Sequence, residues 1–303
     1  MTAESRQARL AHLRTLQNPD GGWGYFPKRQ SWLEPTCYAL IALYGDNAPS
    51  APAADRDRWQ RGWKFVGSLQ NPDGGWRPAP PVPAASWASA LALTLHMIHG
   101  VNDQAFRNGI GWMLKVRGTE GSLLERAIAT VYNGGVEYDR RFKGWPWSPD
   151  SSSWIEPTAH SLLALKKAMR RREQSGIAAE PVAARIREAE SMMLDRRSVD
   201  GGWNYGNRRV LRVDLPSYPE TTAIALLGLQ GCENAKLDDA VALAKRFHAE
   251  TKSRLARAWL AISLQNYGVP APLPDLDVAN DILITALEAI AFPQGGHQWL
   301  TPA

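Results

Sequence analysis

The sequence predicts an all-α fold built from repeats, each made of an outer helix, a tight loop and an inner helix. Three observations lead there. The string LQNPDGGW occurs twice letter for letter, over residues 16–23 and 69–76, and self-similarity at a fixed period is the signature of repeat architectures. The segments before the string mix charged and apolar residues at helical spacing, as an amphipathic helix with one wet face does. The segments after it are apolar nearly all round, as a helix buried on every side is.

The loop comes first because the helices are arranged about it. Asp20 and Asp73 stand 53 residues apart, a close copy follows at Val199-Asp200-Gly201-Gly202-Trp203, and looser copies are Gly144-Trp145-Pro146-Trp147 and Gly295-Gly296-His297-Gln298-Trp299. Proline fixes its own φ, pushes the residue before it out of the helical region, and is followed by glycines that accept positive φ, so the helix must stop there. Gln17 and Gln70 stand where they can bond the unsatisfied groups of a helix end. Trp23, Trp76 and Trp203 are expected to pack back over that end with the indole N–H still free, stapling neighbouring helices from the outer rim.

Each loop leads to a helix-start signal: SWLEPT (31–36), ASWASAL (85–91), SWIEPTAHSLLAL (153–165) and SYPETTAIALLGL (217–229). Serine, acid and Pro or Thr ahead of an apolar run open a helix. Outer helices are expected over 3–16, 56–69 and 182–194, and the repeats over 3–45, 56–100, 103–168, 181–231 and 237–303. A Pro- and Ala-rich linker occupies 47–54, and a stiff Pro-rich loop occupies 78–83. The third repeat is degenerate, with helices over 103–116 and 122–132 and then a long loop, 133–153, ending in aromatics; such loops are functional or disordered, and the aromatics argue for order. The fourth carries Arg208, Arg209 and Arg212 in its loop. Residues 237–249 and 253–267 form a fifth pair, and 278–292 reads as a last outer helix whose inner partner is missing; either residues 301–303 close the ring or the N-terminal helix fills the gap. That makes five to six inner helices in a single domain.

With 44% hydrophobic and 21% charged residues in 303, the composition is ordinary globular material. A formal charge of +5 is compatible with a diphosphate or an anionic surface but equally with plain solubility. Nucleic-acid binding has no motif behind it. Cys37 and Cys232 are too few for a disulfide framework, which makes a reducing cytoplasm the expected compartment. The first residues contain no long apolar stretch and no window approaches a membrane span, so the chain is expected to be soluble or at most peripheral to a membrane.

An apolar helix end followed by Gln, Gly and Trp resembles the QW repeats of squalene-hopene cyclases, oxidosqualene cyclases and other class II terpene cyclases. The resemblance runs over most of the chain, from about residue 8 to 231 and again near the C-terminus. It implies an α/α toroid of alternating inner and outer helices, a fold shared with protein prenyltransferase β subunits, and an isoprenoid small molecule as ligand. Function must still be argued from the site, because one fold hosts unrelated activities.

In class II cyclases a DxDD or DxDTT motif ahead of an inner helix supplies the proton that starts carbocation chemistry, and such an acid must be held protonated in a dry cavity. This sequence has neither motif. Aligned on the following Thr-Ala, Glu220 falls on the second Asp of DxDTT and Glu156 on the corresponding acid of DxDD, while Glu34 repeats the pattern. An aromatic stands in place of the first Asp each time: Tyr218, Trp154 and Trp32. The resemblance therefore implies Glu220 and Glu156 as candidate catalytic acids of an isomerase or lyase. Trp32, Glu34, Trp87, Trp147, Trp154 and Tyr218 become candidate substrate-binding residues, since aromatic faces stabilise carbocations.

A structural reading stands beside it. A Glu in a helix's first turn satisfies free amides and complements the helix dipole, and recurrence in three repeats fits such a role. The same fold without catalysis would bind an isoprenoid lipid or a partner protein. Against the prenyltransferase pattern, Cys37-Tyr38 matches a zinc ligand and its neighbour, but Pro35 occupies the place of the Asp ligand. His96, His99, His160 and His297 complete no three-ligand set by spacing. No metal and no cofactor are expected. The cations Lys166, Lys167, Arg170, Arg171 and Arg172 suit either an anion or the C-terminal dipole of a helix.

Overall fold

The computed structural model describes residues 1–44, 53–120, 137–172, 176–233, 235–292 and 300–301. The helix expected over 122–132, most of the linker 47–54, the start of the loop 133–153 and the copy Gly295–Trp299 with His297 lie outside them. Eleven helices occur among the described residues: α1 (Ala3–Thr15), α2 (Leu33–Tyr44), α3 (Ala53–Ser68), α4 (Ser89–Ile98), α5 (Gln104–Lys115), α6 (Ile155–Arg170), α7 (Ala179–Asp195), α8 (Pro219–Leu229), α9 (Asp238–Glu250), α10 (Arg254–Asn266) and α11 (Ile282–Ala291). A two-residue hairpin, β1 (Arg209–Val210) and β2 (Val213–Asp214), precedes α8. None of these helices is long and apolar enough to cross a membrane.

The helices form two concentric layers. Helices α2, α4, α6, α8, α10 and α11 pack one against the next, and α11 returns to α2, so six inner helices close a ring. Outside it, α1 lies on α11 and α2, α3 on α2, α5 on α4, α7 on α6, and α9 on α8 and α10. This is the all-α toroid the repeats imply. The inner helices owe their place to composition: in α2, α4 and α8 nearly every side chain is buried. In outer α3 only Gly62, Phe65 and Val66 are buried.

One assignment is corrected. The segment 278–292 is not an outer helix, because α11 is buried on almost every face between α10 and α2. Its outer partner is the chain's first helix, α1, and the connection from α10 to α11 carries no helix. Arg9 of α1 and Arg254 of α10 both pair with Glu288 of α11, each at 2.8 Å, which locks the closing seam.

The loops are staples, with more bonding than the sequence suggests. Gln17 Nε2 donates to Gly21 O of its own turn and to Arg58 O of the next outer helix, both at 2.8 Å. Gln70 repeats this with Gly74 O and Ala105 O, and in the fourth copy Arg197 takes over with Gly201 O and Lys236 O. The turn glycines Gly21 and Gly74 have φ of +90° and +98°, and a Cβ on either would come within 2.4 Å of a backbone oxygen of the next outer helix. Only glycine fits both constraints.

The indole N–H is not free at Trp23 and Trp203, though it is at Trp76, and these tryptophans are not on the rim. Trp23, Trp145 and Trp203 are buried between the layers and donate to Leu13 O, Met113 O and Met193 O at 2.9, 3.0 and 2.7 Å, capping carbonyls at the end of the preceding outer helix. Trp76 alone of the four has an unpartnered Nε1. In the degenerate third copy Glu120 stands in for the staple Asp: its Oε1 accepts from Ser153 N at 2.6 Å and from Arg196 Nη2 at 2.8 Å.

Candidate functional site

Two backbone relations carry each staple into the ring and raise a set of side chains at one end. First, the staple Trp N–H donates to a hydroxyl in the first turn of its own inner helix: Trp23 to Thr36, Trp76 to Ser89, Trp145 to Thr158 and Trp203 to Thr222, at 2.8 to 3.1 Å. Second, the residue two beyond the staple Trp caps a neighbouring inner helix. Tyr25 O accepts from Ile282 N, Pro78 O from Leu33 N, Trp147 O from Trp87 N and Tyr205 O from Ile155 N, at 2.8 to 3.0 Å. At the opposite end, Arg171 after α6 bonds Met97 O of α4, Lys166 of α6 bonds Gly228 O and Gln230 O, and Gln265 of α10 bonds Ala291 O of α11. The inner helices therefore run in one direction, with their N-termini around a common mouth.

The residue two before each bonded hydroxyl occupies the same height in that mouth. In α2, α6 and α8 it is Glu34, Glu156 and Glu220, and in α4 it is Trp87. All four keep part of their surface accessible, unlike the apolar residues beneath them. They line open space rather than fill the core.

The acids sense one another across this space. Burial pushes Glu156 from the ordinary 4.5 up to about 8, with Glu34 and Glu220 adding to the rise. Burial likewise pushes Glu34 to about 7, against a hydrogen bond from the Tyr25 hydroxyl that lowers it and with Asp281, the N-cap of α11, raising it. A helix N-terminal dipole favours the charged carboxylate by roughly 0.3–1 kcal/mol. Since one pKa unit corresponds to about 1.4 kcal/mol, that is too little to cancel these rises, and desolvation wins. Glu156 holds its proton at neutral pH. Glu220 is held differently, accepting from Ser253 Oγ at 3.2 Å.

Aromatic rings surround the acids. Tyr25 packs on Trp32 at 5.9 Å between centroids, Tyr205 on Tyr218 at 5.2 Å, and Trp87 edge-on to Trp147 at 5.2 Å. One turn below Glu34 and Glu156 the ring interior is filled. His160 lies 5.2 Å from Trp87 and 5.7 Å from Trp259, and Trp259 lies 5.5 Å from Tyr38. With exposures of 3%, 4% and 0%, His160, Trp259 and Tyr38 form a floor. Burial drives the His160 pKa down to about 3, so the floor carries no charge from it. The mouth is a recess with the protonated Glu156 on its wall beside Glu34 and Glu220, and with aromatic rings above and below them.

Most of the residues singled out in the sequence meet here: Glu34, Glu156, Glu220, Trp32, Trp87, Trp147 and Tyr218. Trp154 stands apart, bordering a separate 190 Å³ recess with Tyr138, Ser153, Arg196 and Asn207. The sequence reading missed Tyr25, Tyr205, Tyr38, Trp259 and Asp281. The first two had a signal, since the second residue after the staple Trp is aromatic in three of the four copies, as Tyr25, Trp147 and Tyr205. His96 and His99 lie elsewhere, against Trp59 and Trp63 between α3 and α4.

No family model matches the chain. A stretch of 79 residues is 39% identical to a drimenyl diphosphate synthase of Streptomyces showdoensis, covering 26% of this chain and 14% of that enzyme. A stretch of 108 residues is 38% identical to a drimenyl diphosphate synthase of Streptantibioticus cattleyicolor, covering 33% of this chain and 19% of that enzyme. The matched stretches thus span less than a fifth of either relative. In three dimensions the chain is similar to the type II terpene cyclase MstE from Scytonema, with a TM-score of 0.53 and 16% identity over 95% of this chain and 76% of that one. It is equally similar to the endoglucanase Cel10 of Klebsiella pneumoniae, a family 8 glycosyl hydrolase, with a TM-score of 0.56 and 13% identity over 97% and 99% of the two chains. At such identities the likeness is one of fold, and the fold is terpene-cyclase-like.

Proposed function

We propose that the recess binds a linear isoprenoid and transfers a proton to it from Glu156, starting a cyclisation or isomerisation. The observation that carries the reading is Glu156 itself: a carboxylic acid protonated at neutral pH, at the head of an inner helix, facing a space walled by aromatic rings. The partial sequence match to drimenyl diphosphate synthases supports an isoprenoid over the sugars handled by glycosidases of similar fold.

The geometry supports the following roles. Glu156 is the proton donor. Glu34, bonded by Tyr25, is a second acid whose charge raises the pKa of Glu156, and Glu220, bonded by Ser253, completes the acidic wall. Trp32, Trp87, Trp147 and Tyr218 with Tyr25 and Tyr205 offer π faces to an apolar chain and to positive charge developing on it; Trp154, which borders a separate recess, takes no part. An acid that keeps its proton to about pH 8 is a weaker donor than an ordinary carboxylic acid. It suits an oxygen acceptor, such as an epoxide or an allylic oxygen, better than an unactivated alkene.

The test is to incubate the protein and its Glu156→Gln variant with linear isoprenoids bearing epoxide, alcohol or diphosphate ends and to identify products by gas chromatography and mass spectrometry. Conversion by the wild type and its loss in Glu156→Gln is the expected result. Equal conversion by both removes Glu156 from the role. Tight binding without conversion by either leaves a non-catalytic isoprenoid carrier, and neither binding nor conversion ends the isoprenoid reading.

A further inference from the structure

At the end of α6 remote from the recess, the cations singled out in the sequence divide into satisfied and unsatisfied members. Lys166 Nζ donates to Gly228 O at 2.9 Å and Gln230 O at 2.8 Å and pairs with Glu190 at 2.7 Å. Arg171 donates to Met97 O. Both are held by carbonyls at the ends of neighbouring inner helices, which is what the C-terminal dipole favours.

Lys167 is different. Its stem is buried, with 6% of the residue exposed, its ammonium keeps an accessible face, and among the described residues neither a hydrogen bond nor an ion pair reaches that ammonium. It follows His160 by seven residues, close to two helical turns, so it leaves α6 on the stripe that faces the ring interior, on the other side of the aromatic floor. Arg171 continues the stripe one turn on. Arg171 and Arg170 are the charged groups that bear on Lys167, and with burial they bring its pKa down to about 8. Buried charges are paired as a rule, because an unpaired one is costly. Among the described residues, the charges that bear on Lys167 are like charges.

We propose that this pole of the ring binds a phosphate group, with Lys167 as the central donor and Arg170 and Arg171 flanking it. Three cations within about one helical turn match a group carrying two or more negative charges better than a single carboxylate. Guanidinium forks and a rotatable ammonium together cover the directions of phosphate oxygens. The adjacent 320 Å³ recess shares Arg170 with the site but is not its centre, since Lys166 there is already paired with Glu190 and Glu233 adds a second acid. The phosphate site is independent of the proposed proton transfer, because His160, Trp259 and Tyr38 stand between the two ends of the ring.

Isothermal titration calorimetry with inorganic diphosphate tests it, together with co-sedimentation on phosphatidylcholine vesicles with and without phosphatidic acid. Saturable diphosphate binding to the wild type is expected, weakened by roughly tenfold or more in Lys167→Met, as loss of a bond between charged groups implies. Binding to phosphatidic acid vesicles without diphosphate binding makes the source a lipid headgroup. Lys167→Met removes an unpaired, partly desolvated charge that stands beside two like charges, so its melting temperature should hold or rise. Should it fail to fold, the exposed Arg170→Ser carries the test through a smaller loss of affinity. The proposal is overturned if the wild type binds neither probe, or if the folded variants bind as the wild type does.

Discussion

The backbone N–H of Trp145 donates to Thr158 Oγ1 at 2.9 Å, tying the third staple to the inner helix that carries Glu156. Thr36 and Thr222 do the same two residues beyond Glu34 and Glu220, so one hydroxyl sets the height of each acid in the mouth. Thr158→Val keeps the volume but leaves a buried amide without an acceptor. The expected loss is about 1–3 kcal/mol in urea unfolding, with Thr158→Ser recovering part of it. A Val variant as stable as the wild type would mean that the staple does not hold the inner helix.

The staple tryptophans differ in one bond, and substitution should expose it. Trp23 Nε1 donates to Leu13 O, whereas Trp76 Nε1 has no partner. Trp→Phe removes similar buried volume at both positions. Trp23→Phe should therefore be the more destabilising by about 1 kcal/mol, the net contribution of a buried hydrogen bond. Equal losses, or a larger loss at Trp76, would place the energy in packing alone.

The raised pKa of Glu156 makes stability depend on pH in a definite direction. Below pH 4.5, the ordinary carboxyl value, folded and unfolded chains are both protonated and the contribution is fully present. Between there and about pH 8 the unfolded chain has released a proton that the folded protein keeps, so stability falls as pH rises and then levels off. Glu34 adds the same sign up to about pH 7. Glu156→Gln, which mimics the neutral acid, should flatten this decline and raise the melting temperature at pH 8 by roughly 2–4 °C per kcal/mol recovered. Parallel melting curves for variant and wild type across pH 5–8 would show that Glu156 ionises normally.

What the sequence made legible was local. Turn chemistry in NPDGG, the helix starts at Glu34, Glu156 and Glu220 and the all-apolar run of α8 each rest on residues a few positions apart, and the alternation of outer and inner helices followed from them. What it hid was set by distant partners. The segment 278–292 looks like an outer helix until its ends meet α2 and α10 across the whole chain. Trp259 and Tyr38 look like two unrelated aromatics until the ring sets them 5.5 Å apart as a floor. The mouth acids could be placed on helix starts by pattern alone, but their protonation could not, because it depends on how the other inner helices exclude water.

The closing seam gives the sharpest stability test, because it depends on residues at opposite ends of the chain. Glu288 accepts from Arg9 Nε at 2.8 Å, and from Arg254 Nε and Nη2 at 2.8 Å each. Arg9 is 1% exposed and its remaining donors go to Ser5 and Leu276 O. Removing the acid in Glu288→Ala strands a buried guanidinium, which costs about 3–5 kcal/mol. Replacing both partners with apolar residues, in Arg9→Met with Glu288→Leu, should cost less than Glu288→Ala alone, since no buried charge is left unpaired at that position. If α1 is only an outer decoration, Glu288→Ala will shift the urea midpoint little and the double variant will be no better. If it closes the ring, the single change will be severe, the double change milder, and amide exchange in α2 and α11 will quicken together.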